Sequence, residues 1–332
     1  MASDFIAVIQ AGHSHTKVAT GWEYDRKPRS FSFPSGVTRK DLYSPDLFEN
    51  SSNISETSFG QREWVVGLHA NSLLYPRHLH WQNNYTDAFV INVLSALERQ
   101  AQNYIDRCIL VVPDAQAMNP SEHSYLKQLF EGEHVLGERV ITIKEVQICS
   151  ATEGVFVKYI TDLASEIEKK NIFLHDVAVL DIGHVSLDYG VIQSGNYVSY
   201  LSGSSQIAVS NVLQKAVELF VVEHRDYIRP EKFELALYYK QSWVELNGKE
   251  YEIASFIETA SKSVCEMALK EAQSAFRGAC PALLILSGGG SNLFMSHTEG
   301  LFTNLYTRRV GIKGAVEGAW YRAVSRKGRI LK

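Results

Sequence analysis

The hydrophobic pattern of this chain repeats itself once, far along its length. The segment VIQAGHSHTKVA from Val8 and the segment VLDIGHVSLDYG from Val179 each carry an apolar pair, two further residues and then Gly-His. In both, a β-branched run reaches a glycine, Gly12 or Gly183, and then resumes an alternating pattern, which predicts a strand, a tight turn and a second strand. Two such hairpins predict two related halves, each with a glycine at the tip that lets backbone approach a ligand.

Residues 28 to 80 mix strand-like pieces, SFSFPSGV and EWVVGLHA, with polar loops such as ENSSNISETS, and read as a peripheral subdomain. Tyr85, Phe89, Val90, Val93, Leu94 and Leu97 then follow the spacing of an amphipathic helix that leads into the strand RCILVVP. RVITIKEVQIC, residues 139 to 149, alternates as one strand. EGVFVKYITDLASEIEKK carries helical periodicity across to the second hairpin, predicting a helix that bridges the halves. Farther on, QIAVSNVLQKAVELF and FIETASKSVCEMALKEAQSAF are helical, and the strand ALLILS runs into GGGSNLF. Strands interleaved with helices put the chain in the α/β class.

Its 332 residues exceed one comfortable core and suit two domains of ~150 residues with a cleft between them. Hydrophobic residues at 45% and charged ones at 21% are the balance of a soluble globular protein. A net charge of -4 argues against direct DNA binding, so any DNA contact is expected through an adaptor. Cys108, Cys149, Cys265 and Cys280 form no CxxC pair and no secretory segment precedes them, which reads as reduced thiols in a cytoplasmic protein. No apolar run approaches the ~20 residues of a bilayer span, and no membrane partner is expected.

Asp181 ends a strand where a hairpin tip presents a carboxylate beside backbone N–H groups, a combination suited to Mg²⁺ and phosphate; plain turn chemistry is the other reading of Asp-Ile-Gly. In LSGGGSNLF, residues 286 to 294, Gly288, Gly289 and Gly290 either let backbone pass close to a nucleotide at a helix N-terminus or form a flexible turn. His13 with His15, and His78 with His80, share the i, i+2 spacing of some metal ligand pairs and read here as surface-loop histidines. Asp188 either shapes the same site or pairs with a neighbouring residue of its hairpin. The basic tail YRAVSRKGRILK suits a C-terminal helix end through the macrodipole.

Taken in order, AVIQAGHSHTK, WVVGLHANS, YTDAFVINVLSAL, TIKEVQICSATEG, AVLDIGHVSLDYGVI, GSSQIAVSNVLQKAV, LLILSGGGSNLF and GAVEGAWYRA resemble the actin, Hsp70 and sugar-kinase superfamily. Within it the chain resembles the StbA/ParM-type plasmid-segregation actins nearly end to end. The resemblance implies an actin-like fold of two ribonuclease H-like domains around a nucleotide cleft: domain I from residues 1–160 plus 315–332, domain II from 161–314. It implies ATP or ADP with Mg²⁺ as cofactors. Residues 10 to 17 become the first phosphate loop, with Gly12, His13, Ser14 and Lys17 on the nucleotide. Residues 181 to 188 become the second, with Asp181 as metal ligand and catalytic carboxylate and with Gly183, His184, Ser186 and Asp188 beside it. Gly203 and Ser204 form a nucleotide-side turn, and Gly288, Gly289, Gly290 and Ser291 the adenosine loop. The implied partners are further copies of the chain, joined head to tail in an ATP-dependent filament, and a DNA-binding adaptor protein of a plasmid partition system.

Two positions depart from the family pattern. Such proteins place an Asp in each phosphate loop, and this chain has Gln10 in the first, a neutral amide that holds Mg²⁺ waters less well. They also open the interdomain helix with a Glu or Gln that orients the attacking water, and Ala151 stands there. Glu153, two residues on, substitutes if the helix starts in another register. Loss of the water-orienting residue costs ~10²-fold or more in rate while binding need not suffer equally. A filament ATPase and a non-hydrolysing actin-like scaffold or regulator both fit these residues, whereas a small-molecule kinase needs a cleft base that the sequence does not supply.

Overall fold

The computed structural model describes residues 3–43, 54–59, 61–68, 87–163, 165–276, 278–299, 301–302 and 305–325. Strands β1 (Phe5–Ala11), β2 (His15–Trp22) and β3 (Arg29–Pro34) form an antiparallel meander, and β4 (Gly36–Arg39), β5 (Ser55–Phe59) and β6 (Arg62–Leu68) form a small separate sheet. There follow α1 (Asp87–Glu98), β7 (Tyr104–Ile105), β8 (Arg107–Val112), α2 (Asp114–Ala117), α3 (Pro120–Phe130), β9 (Gly132–Leu136), β10 (Arg139–Ile143) and β11 (Val146–Ser150). Helices α4 (Ala151–Asp162) and α5 (Glu166–Ile172) lead to β12 (Asp176–Ile182), β13 (Leu187–Gln193), β14 (Asn196–Tyr197) and β15 (Gly203–Ser205). The chain continues through α6 (Val209–His224), α7 (Pro230–Tyr238), β16 (Trp243–Leu246), β17 (Lys249–Glu252) and α8 (Ala254–Ala275). It then forms β18 (Pro281–Ser287), α9 (Ser291–Thr298), β19 (Tyr306–Arg309) and α10 (Gly314–Ser325).

Two principal sheets share one plan. The first runs β3-β2-β1-β8-β11 and the second β14-β13-β12-β18-β19, with β15 added on β13. In each, an antiparallel hairpin leads and two later strands join in parallel beside its first strand. The parallel strands are covered on both faces, which is why β8 is buried at every position and reads after Arg107 as a continuous apolar run. The repeated Gly-His segments are therefore the β1–β2 and β12–β13 hairpins, at equivalent positions of equivalent sheets.

Helices α4 and α10 lie between the sheets and touch through backbone. A Cβ on Gly318 would stand 1.7 Å from the carbonyl oxygen of Gly154, and one on Gly154 would stand 2.3 Å from that of Ala315, so only glycine permits this crossing. One apolar core wraps it, joining Ile6 and Val8 of β1 to Val177 and Val179 of β12 through Val155, Phe156, Val316 and Trp320. A second core fills the space between the second sheet and α6 to α8, and a third lies between the first sheet and α1.

Several expected elements are divided differently. RVITIKEVQIC is two strands: it breaks at Lys144 and Glu145, after which β11 joins the first principal sheet while β10 pairs with β7 and β9. The bridging helix stops at Asp162 because Leu163 is extended, and Ser165 restarts the chain as α5 with a capping box to Glu168. Tyr85, His78, His80 and the basic tail beyond Ser325 lie outside the described residues. Among the described residues no helix is long and apolar enough to cross a membrane.

Candidate functional site

Both hairpin tips enter one cavity of about 760 Å³ between the two sheets. Gln10, Gly12, His13, Ser14 and Lys17 line it from the first hairpin, Asp181, Gly183, His184, Ser186 and Asp188 from the second, and Gly289 and Gly290 from the loop after β18. Each turn closes on itself: the Gly12 N–H donates to the Gln10 carbonyl at 2.9 Å, and the Gly183 N–H to the Ser186 carbonyl at 2.8 Å. Gln10 pairs opposite Lys17 and Asp181 opposite Asp188, so Gln10 occupies in its hairpin the place that Asp181 holds in the other.

A polar chain crosses the cavity floor. Lys17 Nζ donates to Gln10 Oε1 at 3.0 Å, and Gln10 Nε2 donates to Asp181 Oδ2 at 3.4 Å. Asp181 is 4% exposed, and its buried Oδ1 has no hydrogen-bond partner among the described residues. A buried carboxylate oxygen that accepts nothing is costly, and it is the oxygen a hard cation takes. The residues present therefore fit a divalent cation bound through Asp181, with its other positions filled by water and ligand oxygens. The carbonyl of Gln10 is already held by Lys17.

Beneath this floor lies a buried carboxyl pair. Asp114, the first residue of α2, is fully buried and accepts from Thr152 Oγ1, from the Thr152 N–H at 3.2 Å and from Tyr197 Oη at 2.7 Å. Its own N–H donates to Asp188 Oδ1 at 3.2 Å. Burial pushes the Asp114 carboxyl up to about 7; the Thr152 and Tyr197 hydrogen bonds oppose this, and the charge of Asp181 adds to it. Asp188 is pushed up as well, by burial first and then by the charge of Asp114. Ser204 Oγ donates to Asp188 and accepts from the Ala115 N–H at 3.1 Å. Gly203 and Ser204 thus pair with Tyr189 and Asp188 on β13, behind the cavity wall. The sequence reading missed Asp114; the available signal was a carboxylate just past an apolar strand, as with Asp181.

The histidines correct an expectation. His13 and His15 do not point outward from a surface loop, because their hairpin tip faces the second half of the chain. The His13 ring stacks on that of His184, with centroids 5.4 Å apart and planes 7° from parallel, and His15 stacks on Tyr238 of α7 at 5.6 Å. Ser14 Oγ donates to Glu234 Oε1 at 2.8 Å, and His184 Nδ1 lies 3.4 Å from the same oxygen. The sequence reading singled out neither Glu234 nor Tyr238. Among the described residues no group of three or more His, Cys, Asp or Glu side chains is arranged to hold a metal ion.

Glu153 is the second correction. Helix α4 begins at Ala151, which is fully buried, and Ser150 caps it by accepting from the Glu153 N–H at 3.2 Å. That register turns Glu153 toward α10, where it pairs with Arg322 at 2.8 Å, and it does not line the cavity. In the glycine loop, Gly288 has φ +84°, and a Cβ there would stand 2.3 Å from the Ile182 carbonyl oxygen, so the loop lies directly against the end of β12. Ser291 sits behind Gly289 and Gly290, its Oγ accepting from Arg309 at 3.4 Å.

Comparison with known proteins agrees with this geometry. Residues 179–300 match the family model described as the C-terminal part of the archaeal actin homologue MreB-like. Among solved structures, the archaeal actin homolog Ta0583 superposes with a TM-score of 0.73 at 16% identity over 97% of this chain and 99% of that one. A 15-stranded ParM filament from Clostridium botulinum superposes with a TM-score of 0.76 at 14% identity over 98% and 100%. Bacillus thuringiensis ParM with ATP gives 0.64 at 11% identity over 98% and 100%. No curated protein matches the chain by sequence. The chain has the actin-like fold.

Proposed function

We propose that this protein is an actin-like nucleotide-binding protein that assembles into ATP-dependent filaments, with ATP or ADP and Mg²⁺ in the cavity between domain I (1–160 and 315–332) and domain II (161–314). The observation that carries this reading is the buried Oδ1 of Asp181, without a partner among the described residues, where two glycine-tipped hairpins converge beside Lys17. In this reading Gly12, His13 and Ser14 of the first hairpin and Gly183, His184 and Ser186 of the second bind the phosphates, and Lys17 neutralises part of their charge. Gly288 to Gly290 lie along the adenosine, with Ser291 behind them. Gly203 and Ser204 hold Asp188, and through it α2, in position. Mg²⁺ on Asp181 supplies neutralisation of phosphate charge.

Filament assembly is supported by the fold's relatives, one of which is described as a 15-stranded filament. Head-to-tail contacts are heterologous and need not close, so a small change in interdomain angle switches subunits between assembling and dissociating forms. The acidic net charge supports an indirect role in DNA segregation, through an adaptor protein and in the cytoplasm. A second reading, a non-hydrolysing scaffold, is supported by Gln10 and by the buried methyl of Ala151.

Right-angle light scattering after limiting ATP and Mg²⁺ separates them. A rise that decays as nucleotide is consumed supports the filament ATPase. A rise that persists supports assembly without turnover, and no rise refutes filament formation.

A further inference from the structure

An amide bridges the two halves across the cavity floor. Gln10 Nε2 donates to Asp181 Oδ2 at 3.4 Å, and Lys17 Nζ, opposite Gln10 on β2, donates to Gln10 Oε1 at 3.0 Å. Both ends of the amide are used, the oxygen toward an ammonium and the nitrogen toward a carboxylate. A carboxylate in its place could accept from Lys17 but could not donate to Asp181.

The second hairpin shows what a carboxylate does at this position. Asp181, the counterpart of Gln10, is 4% exposed and leaves Oδ1 without a partner among the described residues. A second carboxylate at position 10 would set two like charges face to face across the floor and favour parting of the halves until a cation entered. The Gln10 amide replaces that repulsion with a hydrogen bond, so the floor closes before any cation arrives. The bridge uses Oδ2 and leaves Oδ1 to a cation, which therefore tightens the site without being needed to close it.

We propose that Gln10, a neutral bridge where the second hairpin carries a carboxylate, sets the cation requirement of this site, so that the cavity takes the free nucleoside triphosphate as well as its cation complex. The inference rests on the nucleotide reading above.

The test measures ATP Kd by calorimetry in Mg²⁺ and in EDTA for the full chain and its Gln10→Glu and Gln10→Met variants, at about pH 8 so that paired carboxyls do not settle by sharing a proton. Glutamate has the shape of glutamine and puts an oxygen where the donor stood. Wild type is expected to bind about tenfold more weakly in EDTA than in Mg²⁺, the share carried by Asp181. Gln10→Glu is expected to widen that ratio to about a hundredfold, through loss in EDTA. Gln10→Met, which breaks the bridge without adding charge, is expected to keep its ratio within about threefold of wild type. Melting of the nucleotide-free chain reads the same balance without ATP: Mg²⁺ should raise the Tm of Gln10→Glu by several degrees more than that of wild type. The proposal is overturned if Gln10→Glu keeps the wild-type ratio, if Gln10→Met widens it as far as Gln10→Glu does, or if wild type itself loses about a hundredfold or more in EDTA. Wild type that binds no ATP in either buffer refutes the nucleotide reading; the melting comparison then decides, and equal Mg²⁺ shifts in wild type and Gln10→Glu refute the role of Gln10. Should Gln10→Glu fail to fold, the wild-type ratio decides alone.

Discussion

Raising the pH through the interval from 3.8 to about 7 should weaken the folded chain through Asp114, and Asp114→Asn should remove most of that dependence. Burial holds the Asp114 carboxyl at about 7 when folded, against 3.8 for an exposed group. Within that interval the native chain keeps a proton that the unfolded chain has released. The contribution to stability is therefore complete below 3.8, declines as pH rises, and is gone above about 7. A gap of about three pH units at about 1.4 kcal/mol each sets an upper bound of about 4 kcal/mol, which water entry on ionisation lowers. Asp188 is shifted in the same direction and adds with the same sign. An asparagine keeps an acceptor for Tyr197 Oη and Thr152 and has no proton to lose. Urea midpoints across the interval measure the effect: wild type should lose stability steadily, while Asp114→Asn should show a shallower slope that keeps only the part due to Asp188. Parallel curves would refute the reasoning. So would wild-type stability that rises with pH, since the three donors would then outweigh burial and Asp114 would be ionised throughout.

Gly318→Val should drive α4 and α10 apart at their backbone contact and cost about 3 kcal/mol, the upper end of core overpacking, read as a lowered Tm. Asp181→Asn should raise the ATP Kd measured with Mg²⁺ by about tenfold and leave the Kd measured in EDTA nearly unchanged, because the amide lacks the charge a hard cation needs. Equal losses with and without Mg²⁺ would mean that Asp181 serves the nucleotide or the fold rather than a cation.

The hairpins were legible because their pattern is local: apolar run, glycine and alternation lie within a dozen residues and recur. The buried carboxyl pair was not, because its meaning comes from distant partners. Asp114 meets Thr152, Asp188 and Tyr197 at sequence separations of 38, 74 and 83 residues, and nothing near Asp114 announces any of them. The strand break at Lys144 and Glu145 was hidden because alternation continues across it while the sheet changes. The break before α5 had a signal that periodicity masked: Ser165 followed three residues later by Glu168, a capping box. The orientation of His13 and His15 is topological. Alternation assigns them to one side of a hairpin, and only the docking of the two sheets decides that this side is the cavity.

The same docking determines how the cavity opens. At the α4–α10 crossing, which lies between the two sheets, main-chain atoms touch directly inside an apolar core, so that contact has little room to shift. At the cavity mouth the contacts of the first hairpin tip with the second half are made by side chains: His13 on His184, Ser14 on Glu234, His15 on Tyr238. Any relative motion of the two sheets is expected as rotation about the crossing, with the cavity contacts making and breaking. A parallel stack with centroids 5.4 Å apart has no space for a phosphate between its rings. Any polyphosphate that lies between the two hairpin tips must part His13 from His184, and part of its binding energy goes into that rotation. If the cavity takes a nucleoside triphosphate as proposed, loss of the terminal phosphate would let the rings regain their contact, and the angle offered to a neighbouring copy in the proposed filament would follow the length of the phosphate chain.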